Sequence, residues 1–135
     1  MSDIELAKAA SAALKNSYSP YSGFRVGAAL LAASGRVYSG CNIENASYPA
    51  GICAERAALS RAVSAGEREF IRLAVVGGRE GKITGFCPPC GICRQALAEF
   101  CGEEFEILLY NGAEIRKFSL GGLLPLGFGR NSLCE

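Results

Sequence analysis

The chain has 135 residues, of which half are apolar and a fifth are charged, and its formal net charge is +1. This length predicts a single domain over residues 1–135 with one core, and the composition excludes a disordered chain. The near-neutral charge disfavours a nucleic-acid partner, which would require a basic surface.

The N-terminal segment is acidic, and the longest apolar run, residues 26–33, is too short to span a membrane. We therefore expect a cytoplasmic protein with no membrane partner. Seven cysteines, an odd number, suit a reducing compartment, where clustered thiols indicate a metal or catalytic site rather than disulfides. The sequence contains no histidine, so a transition-metal site must depend on thiolates.

Hydrophobic periodicity and turn residues predict three helices and five strands. Ser2 and Glu5 form a capping box at the start of the first helix. In chain order, the predicted elements are a helix that begins at Ser2, strands 24–31 and 36–41, a helix 53–65, a strand 71–76, a helix 90–100, and strands 106–110 and 115–119. This order predicts an α/β fold, a three-layer α-β-α sandwich with a mixed five-stranded sheet.

Two segments at predicted helix starts concentrate the chemically reactive side chains: Cys53-Ala54-Glu55 and Cys90-Gly91-Ile92-Cys93. The C-x-x-C spacing puts two thiolates one turn apart on one helix face. Cys53 begins the other helix, so all three sulfurs can meet where two helix N-termini converge, and the helix dipoles there stabilise thiolates. Three protein ligands leave the fourth tetrahedral position of Zn²⁺ open for water, as in catalytic sites.

Charge balance at such a centre requires further groups. Three thiolates and Zn²⁺ sum to −1, which opposes a lower pKa of the bound water, so hydrogen-bond donors to sulfur should lie nearby. Arg56, one turn after Cys53, and Arg94, beside Cys93, are the candidates. Glu55 follows Cys53 by two residues and is placed to reach the water without binding the metal, which makes it the natural proton shuttle.

Longer segments surround these positions: residues 21–30 (YSGFRVGAAL), 40–48 (GCNIENASY), 53–56 (CAER), 89–95 (PCGICRQ), and 123–125 (LLP) with Phe128. In these segments, and over essentially its whole length, the sequence resembles the small homotetrameric zinc-dependent cytidine deaminases. Zinc deaminases as a class combine thiolate ligands with a glutamate that does not bind the metal.

The resemblance implies the reaction and its cofactor. The reaction is hydrolysis of free cytidine and 2′-deoxycytidine to uridine and 2′-deoxyuridine plus ammonia by a zinc-activated water, in pyrimidine salvage. The resemblance further implies one Zn²⁺ per subunit, held by Cys53, Cys90 and Cys93, with Glu55 as the proton shuttle and Arg56 as a partner of the thiolates.

The same resemblance implies the residues that bind the nucleoside. Asn42 and Glu44 would hold the ribose, chiefly its 3′-hydroxyl, while Phe24 lies against the pyrimidine and Ala54 offers its backbone to the base. Because a carboxylate at Glu44 would repel a phosphate, free nucleosides are favoured over nucleotides and polynucleotides.

The expected assembly is a homotetramer with shared active sites. The resemblance implies that adjacent subunits contribute Phe128 and residues around Ala46 and Tyr48 to each site. Near the C-terminus, several large side chains are apolar: Leu123, Leu124, Leu126 and Phe128. This agrees with burial of that part against other copies of the chain.

Three other interpretations of the cysteine segments remain open. Cys87 departs from the family pattern, and its spacing from Cys90 would make it the fourth ligand of a structural zinc site in an interaction module, which leaves Glu55 and the loop 42–45 unexplained. A redox C-x-x-C pair would make the Cys-Ala-Glu segment accidental. A deaminase of a cytosine-containing antibiotic such as blasticidin S shares the zinc motifs, although the loop 42–45 (NIEN) argues against it.

Residue type alone favours structural roles for several of these positions. Phe24 heads an apolar strand and would ordinarily be a core residue, and Asn42 and Glu44 would ordinarily be solvated turn residues. Their assignment to the site depends on the resemblance. Three further cysteines are expected to have no chemical role: Cys41, Cys101 and Cys134.

Overall fold

The computed structural model describes residues 1–133, so Cys134 lies outside the described residues. Its elements are α1 (Asp3–Leu14), β1 (Phe24–Ala32), β2 (Val37–Cys41), a short 3-10 helix (Tyr48–Ala50), α2 (Ala54–Ser64), β3 (Phe70–Arg79), α3 (Gly91–Ala98), β4 (Glu106–Tyr110), β5 (Ile115–Ser119), α4 (Leu120–Leu123) and α5 (Arg130–Leu133). All predicted elements are present. Among the described helices, none is long and apolar enough to cross a membrane.

The five strands form one mixed sheet in the order β2-β1-β3-β4-β5. Neighbouring strands are antiparallel except β3 and β4, which are parallel. A parallel pair requires the chain to cross over one face of the sheet between the two strands, and α3 lies in that crossover. The predicted mixed five-stranded sheet is confirmed.

Alternating residues of the central strands face two separate hydrophobic clusters. One face of the sheet, with Leu30, Leu73 and Ile107, packs against α2 and α3. The opposite face, with Leu31 and Leu108, packs against α1. Because side chains alternate along a strand, runs of consecutive apolar residues in β1, β3 and β4 serve both faces at once. This arrangement is the predicted α-β-α sandwich.

Strand β3 is longer than the sequence predicts, since it ends at Arg79 rather than near residue 76. Residues 24–26 of β1 pair with residues 77–79 of β3, which continues the ladder beyond the apolar run. Two of the added residues are glycines, which weaken an isolated strand, so the extension depends on the neighbouring strand.

Gly40 allows α2 to lie directly on β2. A Cβ atom at this position would lie 2.5 Å from the backbone nitrogen of Ala58 and 2.7 Å from the carbonyl oxygen of Ala54. Only glycine permits this approach, because the contacting atoms belong to the helix backbone. The close packing brings the N-terminus of α2, with Cys53 as its N-cap residue, down onto the sheet.

Candidate active site

Three cysteine sulfurs converge at the N-termini of two helices. Cys53 is the N-cap residue of α2, Cys90 is the N-cap residue of α3, and Cys93 lies one turn further along α3. The Sγ atoms of Cys53 and Cys90 are 3.6 Å apart, as are those of Cys90 and Cys93, and all three lie within 4.8 Å of one another. Three sulfurs bound tetrahedrally to zinc at about 2.3 Å would be about 3.8 Å apart. The cluster therefore fits one Zn²⁺ ion.

The surroundings of the cluster favour a thiolate at Cys53, whereas a hydrogen bond to Cys53 and burial hold the pKa of the Cys93 thiol above its usual range. The Nη2 atom of Arg56 lies 3.8 Å from the Sγ atom of Cys53, which is the predicted contact. A hydrogen bond from the thiol of Cys93, together with this arginine, lowers the pKa of Cys53 to about 5. The Nε atom of Arg56 is buried without a hydrogen-bond partner among the described residues. An unpaired buried donor is costly, and a negatively charged zinc–thiolate centre beside it would offset that cost.

Arg94 does not contact the sulfurs, so its predicted role as a donor to a thiolate is wrong. Its Nε atom donates to the carbonyl oxygen of Pro89 at 2.8 Å, and its Nη1 atom donates to that of Leu123 at 2.7 Å. Successive residues of a helix point about 100° apart, so Arg94 leaves the face that carries Cys90 and Cys93. It instead joins the start of α3 to the end of α4.

Glu55 is the one charged side chain that is buried within the described part of the chain, with 4% of its surface exposed. It lies in the first turn of α2, two residues after Cys53. Burial raises the pKa of Glu55 to about 7, and the negative charge of Cys53 adds to the rise. A carboxyl group whose pKa lies near neutrality can both accept and donate a proton, as a shuttle requires.

A cleft of about 570 Å³ opens beside the sulfur cluster. Six of the residues that the sequence assigned to the site line it: Asn42, Glu44, Tyr48, Cys53, Ala54 and Arg56. The structure thus brings the polar loop and the start of α2 together at one surface. Tyr48 lines the cleft of its own chain, and its contribution to a neighbouring subunit stays a prediction.

The side-chain amide of Asn42 is held by three hydrogen bonds within the chain. Its Oδ1 atom accepts from the backbone nitrogen of Val26 at 2.9 Å and from the hydroxyl of Ser17. Its Nδ2 atom donates to the carbonyl oxygen of Phe24 at 2.9 Å. One N–H of the amide remains for a ligand in the cleft.

The carboxylate of Glu44 is also held in place. Its Oε1 atom accepts from the backbone nitrogens of Tyr21 and Ser22 at 3.0 and 3.1 Å, and its Oε2 atom accepts from the hydroxyl of Ser22 at 2.5 Å. The two hydrogen bonds from Ser22 are the main cause of a lowered pKa of Glu44, so the group is an ionised acceptor. No motif in the sequence indicated Ser17 or Ser22, although Ser22 lies inside the segment 21–30 on which the resemblance depends.

The other predicted substrate-binding residues do not line this cleft. Phe24 begins β1 with its ring against Gly77, and Ala46 is exposed. Phe128 is 60% exposed and lines a second hollow of about 440 Å³, between the end of α3 and the C-terminal segment. The carbonyl oxygen of Phe128 accepts from the side-chain amide of Gln95 at 2.7 Å. The contribution of Phe128 to a neighbouring subunit stays a prediction.

Residues 1–108 match the model of a protein family described as the cytidine and deoxycytidylate deaminase zinc-binding region. The chain belongs to this family. Among the members most similar to it, a cytidine deaminase from Sporosarcina psychrophila is 47% identical over 122 residues, which cover 90% of this chain and 87% of the relative.

Solved structures of cytidine deaminases also resemble this chain. The crystal structure of a cytidine deaminase from Burkholderia pseudomallei superimposes with a TM-score of 0.87 at 46% identity, and the match covers 95% of this chain and all of that one. A blasticidin-S deaminase from Bacillus cereus is more distant, at 29% identity over 110 residues and 78% of each chain.

Cys87, the departure from the family pattern, does not join the sulfur cluster of this deaminase. The metal-binding group among the described residues contains only Cys53, Cys90 and Cys93. The Sγ atom of Cys87 instead packs against Gly77, and burial raises the pKa of its thiol to about 11. Cys87 therefore lies outside the group of thiols that could hold the ion, and the four-cysteine structural zinc site is not formed among the described residues.

Proposed function

We propose that this chain hydrolyses free cytidine and 2′-deoxycytidine to uridine and 2′-deoxyuridine plus ammonia, in pyrimidine salvage. The observation that supports this most is the buried carboxyl group of Glu55 next to a cluster of three convergent sulfurs, of which that of Cys53 lines a cleft together with Asn42 and Glu44. A structural zinc site would need neither the buried carboxyl group nor the polar cleft.

Zn²⁺ held by Cys53, Cys90 and Cys93 would supply a Lewis acid that makes a water molecule nucleophilic near neutral pH. Glu55 carries the protons. It takes one from the attacking water and delivers it to N3 of the pyrimidine, which makes C4 electrophilic. The oxygen of that water bonds to C4, and Glu55 then moves the proton that remains on this oxygen to the amino group, so that the C4–N bond breaks, ammonia leaves, and C4 becomes a carbonyl.

The polar side of the cleft would recognise the sugar. Glu44 is an ionised acceptor, which suits a ribose hydroxyl and repels a phosphate. The free N–H of Asn42 offers a donor beside it. Phe24 would lie against the pyrimidine, and Ala54 at the start of α2 would offer its backbone to the base.

We further infer a homotetramer in which sites are shared. Phe128, Ala46 and Tyr48 would act at subunit boundaries, and this is supported by the exposure of large apolar side chains in one chain, with 60% of Phe128 and 77% of Tyr48 accessible. Apolar surface of this kind commonly marks an interface. The three clustered thiols must stay reduced to bind zinc, which supports a cytoplasmic location.

The test is to purify the chain with zinc, add cytidine, and follow the fall in ultraviolet absorbance together with ammonia release. We expect one zinc per chain and stoichiometric ammonia from cytidine and 2′-deoxycytidine, with little from cytidine 5′-monophosphate. Blasticidin S serves as the comparison substrate. A chain that holds zinc but releases no ammonia from cytidine would contradict the proposal.

A further inference from the structure

The loop before β1 is joined to the polar segment that lines the cleft. The backbone nitrogen of Tyr18 donates to the carbonyl oxygen of Asn42 at 3.0 Å, and the nitrogen of Glu44 donates to the carbonyl oxygen of Tyr18 at 2.8 Å. At the end of the loop, Gly23 has a φ of +70°, and its carbonyl oxygen accepts a hydrogen bond from the backbone nitrogen of Glu80 at 2.6 Å. The loop therefore presents residues 21 and 22 to Glu44 on an anchored backbone.

Counting acceptor sites shows which part of Glu44 remains available. An ionised carboxylate has about four lone-pair positions, two on each oxygen. The backbone nitrogens of Tyr21 and Ser22 occupy both positions on Oε1, and the hydroxyl of Ser22 occupies one on Oε2. A single acceptor position on Oε2 is left for a ligand in the cleft.

We propose that Ser22 is a positioning residue for sugar recognition, because its hydroxyl orients the one free acceptor position of Glu44 toward the bound nucleoside. The inference rests on the proposed function, in which a ribose hydroxyl donates to Glu44. The hydroxyl of Ser22 also accepts from the backbone nitrogen of Phe24 at 3.0 Å. It thus ties the sugar acceptor to the first residue of β1, whose ring is proposed to contact the pyrimidine.

Without the hydroxyl of Ser22, the Oε1 atom of Glu44 would keep its two hydrogen bonds from backbone nitrogens. The Oε2 atom would lose its partner and could bind water or point away from the nucleoside. The sugar would then be recognised less well, while Glu55 and the three sulfurs would be unaffected. The loss of binding should concern only the 3′-hydroxyl of the nucleoside. Discrimination between cytidine and 3′-deoxycytidine measures it directly, because the second compound lacks the group that Glu44 is proposed to read.

The experiment compares Ser22→Ala, Ser22→Cys and Ser22→Thr with the zinc-loaded wild type, using kcat and KM for both nucleosides. Ser34→Ala is the matched control, since the hydroxyl of Ser34 donates to Oε2 of Glu67 at 2.6 Å and accepts from the backbone nitrogen of Arg36 at 3.3 Å, the same pattern away from the cleft. Binding of uridine and 3′-deoxyuridine by calorimetry provides a readout without turnover.

We expect Ser22→Ala and the nearly isosteric Ser22→Cys to raise the KM for cytidine and to reduce discrimination about tenfold, at the lower end of the effect of a hydrogen bond to a charged group. The kcat for cytidine should stay within about twofold of wild type. The efficiency with 3′-deoxycytidine should hardly change. Ser22→Thr should restore discrimination, and Ser34→Ala should match wild type.

Discrimination at the wild-type level in both Ser22→Ala and Ser22→Cys would overturn the inference, as would an equal loss of efficiency with both nucleosides. A wild type that does not distinguish the two nucleosides would overturn it as well, by removing the role of Glu44. A wild type that releases no ammonia from cytidine would overturn the proposed function, and this inference with it.

Discussion

A buried carboxyl group beside three sulfurs is expensive to maintain, because its charged form lacks solvent and faces negative charge. Glu55 is held there by its place in the first turn of α2, directly after the residue that begins the helix. An apolar side chain of similar size at this position would not carry that cost. The proposed proton transfer gives this position a reason that stability does not.

Glu55→Gln tests this role. The amide has nearly the same shape but does not shuttle protons, so kcat with cytidine should fall by about two to four powers of ten while one zinc per chain remains. Initial rates and metal content by mass spectrometry measure both quantities. Glu67→Gln, a carboxylate away from the cleft that accepts from Ser34 and Tyr38, is the control. Near-normal turnover in Glu55→Gln would show that another group moves the proton.

At the scale of elements, two helix starts and one close contact build the metal site. Neither Cys53 nor Cys90 caps its helix through a side-chain hydrogen bond, so the sulfurs are available while the free backbone N–H groups of the first turns face them. The site thus depends on how α2 and α3 are docked on the sheet as much as on the ligands themselves.

Removal of a ligand should remove the metal. Cys90→Ala leaves two sulfurs, which hold zinc weakly, so we expect purified protein with little zinc and no turnover. Cys87→Ala and Cys101→Ala should keep one zinc per chain, since neither sulfur belongs to the cluster. Metal analysis after dialysis against a mild chelator distinguishes the variants. Zinc loss in Cys87→Ala, with Cys90→Ala still loaded, would contradict the assigned ligands.

The contact between β2 and α2 gives a prediction about stability. Gly40→Ala places a methyl group against the helix backbone and should lower the free energy of unfolding by about 1–3 kcal/mol, with weaker zinc retention because Cys53 begins the same helix. Gly85→Ala is the matched control, because no atom lies within 4 Å of its added Cβ. Urea unfolding compares the free energies of unfolding of the two variants. Equal unfolding midpoints would show that α2 moves to accept the methyl group without loss of stability.

At the scale of the whole molecule, the open question is whether one chain completes a site. The cleft beside the sulfurs lacks Phe128, which lies in a separate hollow of the same chain. In the proposed homotetramer, Phe128 of one subunit closes the pocket that contains Glu55 of another. The expectation of one domain over residues 1–135 stays a prediction alongside this assembly.

Mixed tetramers test the shared site. Glu55→Gln and Phe128→Ala chains are dissociated, combined in equal amounts and reassembled. Random mixing should give roughly a quarter of the sites an intact Glu55 from one parent and an intact Phe128 from the other, so activity should exceed that of both parents. Each parent dissociated and reassembled alone is the control. Activity equal to the average of the parents would mean that each site belongs to a single chain.

Local patterns in the sequence determined the elements and the pairing of Cys90 with Cys93. The capping box of Ser2 and Glu5 is present, and β4 and β5 have the predicted bounds, because periodicity and turn residues act within a segment. The pair Cys90 and Cys93 follows from helix geometry in the same way. These features need no knowledge of the rest of the chain.

Tertiary structure decided which distant groups meet and where their side chains point. It brought Cys53 to within 3.6 Å of Cys90 across 37 residues, directed Arg94 to carbonyl oxygens rather than to sulfur, and attached Ser22 to Glu44. Such contacts depend on sheet order, on the approach of α2 at Gly40 and on the path of an anchored loop. A pattern along the chain carries no information on these distances, because they arise only when separate elements pack against one another.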